Sequence, residues 1–158
     1  MIIISDSSPL ISLAIIDKLD LLESLYEEIY VPFAVYKEVT EDEKPFSKEL
    51  KFFLENKVKN VSNKMAVDVL ISDIGIGESE AIVLALEEKP NLILIDDLKA
   101  RKFAKMNGLA VIGTMGLLLE GKQKGLIKEI KPLILKLLDN GIRISGKIIE
   151  ITLKVAKE

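Results

Sequence analysis

The 158-residue chain contains no cysteine and no histidine. Those two absences remove disulfides, thiolate nucleophiles, Ser-His-Asp triads and the usual Cys/His zinc sites. A metal bound here must be held by oxygen ligands, which favours Mg²⁺, Mn²⁺ or Ca²⁺. The chain also lacks a basic excess: 22 Lys and Arg stand against 25 Asp and Glu, a net charge of −3, so the overall footprint of a nucleic-acid binder is missing. No apolar run approaches the ~20 residues that span a bilayer. Met1-Ile2-Ile3-Ile4 runs into Asp6 without a basic lead-in, so a cytoplasmic location is expected. Low-complexity tracts, internal repeats and P-loop patterns are absent too.

What is present is a core-forming composition, 49% apolar and 30% charged, of a length that suits one domain over residues 1–158. Short apolar runs at 2–4, 29–31, 58–61, 92–95 and 110–112 read as strands. Between them lie helical patterns at 10–14, 18–28, 33–39, 47–54, 65–71, 78–88, 98–107, 115–124 and 126–138, with a last one at 145–156. Strand and helix alternate, which predicts a mostly parallel sheet with helices on both faces: a three-layer α/β/α architecture.

The chemistry-bearing residues are carboxylates. Asp96-Asp97 follows the strand Leu92-Ile93-Leu94-Ile95, and Asp6 follows the first strand. In a parallel sheet both positions fall on the carboxyl edge, where α/β proteins bind ligands. Glu78 and Glu80 open a helix that leads into the Asp96 strand. Each acid has a structural explanation: Asp6 before Ser7-Ser8-Pro9 and Asp97 before Leu98 suit helix caps, and Glu78 and Glu80 suit a helix N-terminus. Two features resist it. Glu38, followed by Glu41, Asp42 and Glu43, falls near a helix C-terminus, where negative charge opposes the dipole. Asp96 is surplus if Asp97 caps. A divalent cation shared by several carboxylates is the simplest compensation. Lys99, Arg101, Lys102 and Lys105 form a basic stretch beside the acids, suited to a phosphate backbone or to plain solvation.

Taken in order, Asp6-x-Ser8, Tyr36-Lys37-Glu38-Val39, Gly77-Glu78-Ser79-Glu80-Ala81-Ile82 and Ile95-Asp96-Asp97-Leu98-Lys99-Ala100-Arg101 resemble the PIN-domain nucleases. The likeness extends through Val111-Ile112-Gly113-Thr114 and Gly125-Leu126-Ile127 to a prokaryotic PIN-like subgroup, similar to the toxin ribonucleases of toxin–antitoxin pairs. It implies a central parallel sheet, Mg²⁺ or Mn²⁺ as cofactor, and phosphodiester cleavage in single-stranded or structured RNA. It implies catalytic, metal-holding roles for Asp6, Glu38, Glu80 and Asp97, with Glu78 and Asp96 as adjacent candidate ligands. Ser8 would support the site, and Lys99 and Arg101 would contact substrate. As partners it implies RNA, an antitoxin protein and a second copy in a homodimer. Glu80 stands where many relatives carry Asp, one methylene shorter.

Two other readings fit the same residues. One is a catalytically weak or inactive PIN-fold module that binds nucleic acid or protein. The other is a metal-dependent phosphatase, disfavoured because no Asp-x-Asp follows the first strand.

Overall fold

A computed structural model describes residues 1–158. Five strands form one sheet: β1 (Ile2–Ser5), β2 (Glu28–Pro32), β3 (Val58–Lys59), β4 (Leu92–Leu94) and β5 (Val111–Ile112). Their spatial order is β3-β2-β1-β4-β5, and every pairing is parallel. The helices are α1 (Ser7–Ile15), α2 (Asp20–Leu25), α3 (Phe33–Thr40), α4 (Ser47–Phe53), α5 (Lys64–Ile71), α6 (Ile76–Glu88), α7 (Leu98–Met106), α8 (Thr114–Gln123), α9 (Lys131–Asp139) and α10 (Gly146–Ala156).

The period of two along each strand sorts side chains to two cores. Ile3, Ile29, Val31 and Leu94 enter the larger one, with Leu10 and Leu13 of α1, Leu22 of α2, Val35 of α3, Leu117 of α8 and Leu137 of α9. Ile4, Ile93 and Ile95 enter the smaller, with Ala81, Ile82 and Leu84 of α6 and Ala100 and Ala104 of α7. The sheet is therefore sandwiched as the alternation predicts, in three layers. No helix is long and apolar enough to cross a membrane.

Two helices differ from the periodic reading. The pattern at 18–28 yields only Asp20–Leu25, because the chain must extend at Glu28 to pair with Ile2 of β1. The pattern at 126–138 begins only at Lys131, with Pro132 in the first turn, where its missing N–H costs nothing. Gly108, at φ +80°, ends α7 in the left-handed conformation that glycine adopts without strain.

The order β3-β2-β1-β4-β5 contains one reversal. The chain builds outward from β1 through β2 to β3, then returns to lay β4 on the other side of β1. The crevice beyond the carboxyl ends of β1 and β4 is the topological switch point, where open α/β sheets bind ligands. Asp6 and Asp96 flank it.

Candidate functional site

Asp6 is the residue after β1, and its backbone N–H donates to the Leu94 carbonyl of β4 (2.9 Å). It occupies the N-cap of α1, yet its side chain makes no capping hydrogen bond. The residue is 1% exposed, and Oδ1 is buried without a partner. A buried carboxylate oxygen left unpaired is costly. Burial is the main reason its pKa rises from 3.8 to about 7; the charge of Glu78 adds to the rise, the Ser7 N–H partly counters it, and Glu38 and Asp96 raise it further.

Glu38 reaches this place from the last turn of α3. Its Oε2 accepts the Ser7 hydroxyl at 2.9 Å. Gly77, in the first turn of α6, faces the same gap. A Cβ there would stand 3.0 Å from Glu38 Oε2 and 3.5 Å from both Asp6 Oδ1 and Ser7 Oγ. Glycine inside a helix costs about 1 kcal/mol relative to alanine, and at Gly77 it leaves the two acids a shared opening.

The Asp96-Asp97 pair divides its work. Asp97, exposed, caps α7 by accepting the Ala100 N–H at 2.8 Å. Asp96 accepts two hydrogen bonds from Thr114, the first residue of α8: from its N–H at 2.7 Å and its hydroxyl at 2.5 Å. Arg101 lies alongside. Its Nη1 donates to the Ile95 carbonyl at 2.9 Å, and a Cβ on Gly113 would meet both Arg101 Nη1 (2.7 Å) and Asp96 Oδ1 (3.0 Å).

The other acid pair divides in the same manner. Glu80 Oε1 accepts the Ala34 N–H in the first turn of α3, at 3.0 Å, and so serves a helix end. Glu78 is the strongest single charge acting on Asp6, and its side chain folds back over Gly75. Within each pair the member whose charge acts on Asp6 is the one the resemblance gives as the adjacent candidate. Glu78 and Asp96 act on Asp6, while Glu80 and Asp97, like Asp96 itself, each accept an N–H at a helix N-terminus. Ser8 is exposed, and the hydroxyl that meets an acid belongs to Ser7. Lys99 is exposed on α7, whereas Arg101 is half-buried beside Asp96.

Sequence reasoning missed Ser7, Gly77 and Thr114. Gly77 carried a usable signal, a glycine in the first turn of an otherwise strong helix. Ser7 and Thr114 had none beyond their positions at helix starts.

The donor set suits a hard divalent cation: oxygens only, one of them buried and unpaired, with three further carboxylates acting on it. As the side chains stand, no three acids close on a common point tightly enough to enclose an ion. Glu78, on a long side chain in the first turn of α6, accepts no hydrogen bond, whereas Glu38 is held by Ser7. This crevice, at the switch point of a sheet ordered 3-2-1-4-5, lies within a match to a family model. Residues 2–158 match DUF3368, described as a PIN domain.

The chain belongs to the PIN-domain family.

PIN domains have a nuclease-type fold and typically use divalent metals. No curated protein and no solved structure matched the chain. In this PIN domain the acids of the crevice come from four separated stretches, at β1–α1, α3, the start of α6, and β4–α7.

Proposed function

We propose that this PIN domain is a Mg²⁺- or Mn²⁺-dependent endoribonuclease that hydrolyses phosphodiester bonds, acting as the toxin of a toxin–antitoxin pair in the cytoplasm. The observation that carries the reading is Asp6 Oδ1: a buried, unpaired carboxylate oxygen at the switch point, surrounded by Glu78, Glu38 and Asp96. Nothing in the protein satisfies it, and a cation would.

Asp6, Asp96, Glu38 and Glu78 would hold the ion. Asp96 is oriented for that task by Thr114, and Glu38 by Ser7. A divalent cation supplies Lewis acidity: it makes water acidic enough to attack at neutral pH and offsets charge that builds on the phosphoryl oxygens. The chain's own residues do the rest. Gly77 keeps the opening between Asp6 and Glu38 clear, and Arg101 places a cation beside Asp96 where a phosphate would enter. Toxin function and a homodimer rest on the likeness to toxin ribonucleases alone.

One observation favours a second reading, a PIN-fold module that binds RNA without cutting it: the four carboxylates do not close around a common point. Incubation of labelled single-stranded RNA with the protein and Mn²⁺ separates the two. Cleavage that EDTA and Asp6→Asn both abolish supports the nuclease. Retention of RNA without cleavage, unchanged by EDTA, supports the module. Turnover of a small phosphomonoester instead of RNA would point to a phosphatase.

A further inference from the structure

The outward face of α7 carries a feature that the acid crevice does not explain. Leu98, Arg101, Lys102, Lys105 and Met106 line a shallow depression of about 390 Å³. The opposite face of the helix, Ala100 and Ala104, is buried against the sheet. None of the cations Lys99, Arg101, Lys102 and Lys105 takes part in an ion pair. Lys99 and Arg101 also sit near the N-terminus of α7, where positive charge opposes the helix dipole. Lys99 and Arg101 therefore do not stabilise their own helix, whereas Lys105, in its last turn, does; as like charges on one helix the four repel one another.

Arg101 joins this face to the crevice. Its Nη1 is held on the Ile95 carbonyl and, like Asp96 Oδ1, abuts Gly113. Lys105 follows about one turn later, about 6 Å along the axis, with Lys102 between them. Leu98 and Met106, 80% and 73% exposed, offer apolar surface at either end. A protein of net charge −3 with an acid crevice repels a polyanion. A cationic strip that begins beside the acids supplies the local attraction such a substrate needs.

We propose that the α7 groove is the track for the phosphate backbone of single-stranded RNA leading into the crevice. Arg101 meets the phosphate nearest the acids, and Lys102 and Lys105 meet the ones beyond it. This assignment rests on the nuclease reading for its direction, but binding tests it separately.

The experiment is fluorescence anisotropy with a short fluorescein-labelled single-stranded RNA in EDTA, over a salt series. It compares the wild type with the double variant Lys102→Glu/Lys105→Glu. A control, Lys147→Glu/Lys154→Glu on α10, makes the same change in net charge far along the chain. Loss of two phosphate contacts raises Kd at least ~10-fold and flattens the log–log salt slope by ~1.4. The control stays within ~2-fold of wild type, and Lys102→Gln/Lys105→Gln gives an intermediate loss, with thermal melts of all variants checked for intact folding. Unchanged affinity in the charge-reversed α7 variant overturns the track, as does failure of the wild type to bind RNA. Equally tight binding of a poly-glutamate peptide of matched charge also overturns it, because the groove would then suit an acidic protein. If RNA binding depends on Lys102 and Lys105 but Mn²⁺ never yields cleavage, the track stands and the nuclease reading falls. If Asp6→Asn abolishes cleavage while the α7 variant keeps wild-type Kd and KM, the track alone falls.

Discussion

Ser7 Oγ donates to Glu38 Oε2 at 2.9 Å, joining the first turn of α1 to the last turn of α3. The bond fixes an otherwise exposed glutamate at the edge of the Asp6 pocket. In Ser7→Ala, Glu38 regains water, so stability falls by no more than ~1 kcal/mol. RNA cleavage in Mn²⁺ falls roughly tenfold, the rate equivalent of ~1.4 kcal/mol of lost positioning. Ser8→Ala changes neither. Initial rates and melting curves of both variants check this, and equal losses in the two would remove Ser7 from the site.

Asp6 makes the protein's stability depend on pH. Its folded pKa is raised from 3.8 to about 7, so the native state holds the proton more tightly than the unfolded chain. The favourable contribution of protonated Asp6 is complete below pH 3.8 and is lost as pH rises through about 7. Above that, the ionised carboxylate costs up to roughly 4 kcal/mol. Asp6→Asn should therefore raise the melting temperature more at pH 8 than at pH 5. Mn²⁺ at pH 8 should raise it for the wild type and not for Asp6→Asn. Scanning fluorimetry at both pH values reads all of these, and a destabilised Asn variant at pH 8 would contradict the buried-charge account.

The two acid pairs give a crossed prediction. Asp97→Ala removes the cap on α7 and costs about 1 kcal/mol while sparing cleavage. Asp96→Asn leaves that cap in place and abolishes cleavage. Likewise Glu80→Gln weakens the Ala34 contact and lowers stability slightly, whereas Glu78→Gln lowers the Asp6 pKa and reduces cleavage. Chemical denaturation and cleavage rates on the four variants test this. Loss of activity in Asp97→Ala with full activity in Asp96→Asn would return the assignment to the sequence preference.

Glu158 fastens the end of the chain to the start of α9. Its carboxylate accepts the N–H groups of Ile130 (2.8 Å) and Lys131 (2.9 Å) and pairs with Lys122 Nζ at 2.8 Å. The Lys122 hydrogen bond is the chief reason its pKa falls from 4.5 to about 2, aided by the two backbone donors. A lowered acid stabilises the fold above its unfolded pKa, so this contribution is whole above pH 4.5 and is lost as pH falls through about 2. Glu158→Gln should unfold at lower urea than wild type at pH 7, and the gap should narrow steadily below pH 4.5. A gap independent of pH would show that packing, not charge, does the fastening.

Much of the fold was legible in the chain. Apolar runs of strand length alternate with helical periods, and a parallel sheet with two covered faces is the arrangement that buries both. Asp6 and the 96–97 pair could be assigned to the carboxyl edge because each directly follows a strand. The late start of α9 was missed by the periodic pattern at 126–138, although Pro132 belongs in a first turn.

Choosing within each acid pair needed three dimensions. Residues two apart on a helix project about 200° from one another, so Glu78 and Glu80 cannot serve the same place, but local sequence does not say which faces inward. The passage of α6 across α3 decides it. That crossing sets Gly77 against Glu38 and leaves Glu80 at the Ala34 N–H. Neighbours on an extended segment likewise point to opposite sides, and Asp96 is selected by Thr114, 18 positions away. Residue type and strand ends therefore set which carboxylates the protein has at its crevice. Which of them stand against Asp6 depends on how helices from separate stretches of chain pack, and the same packing brings a distant helix N–H to Glu80 and to Asp96, because an unpaired N–H at a helix N-terminus draws in a nearby carboxylate.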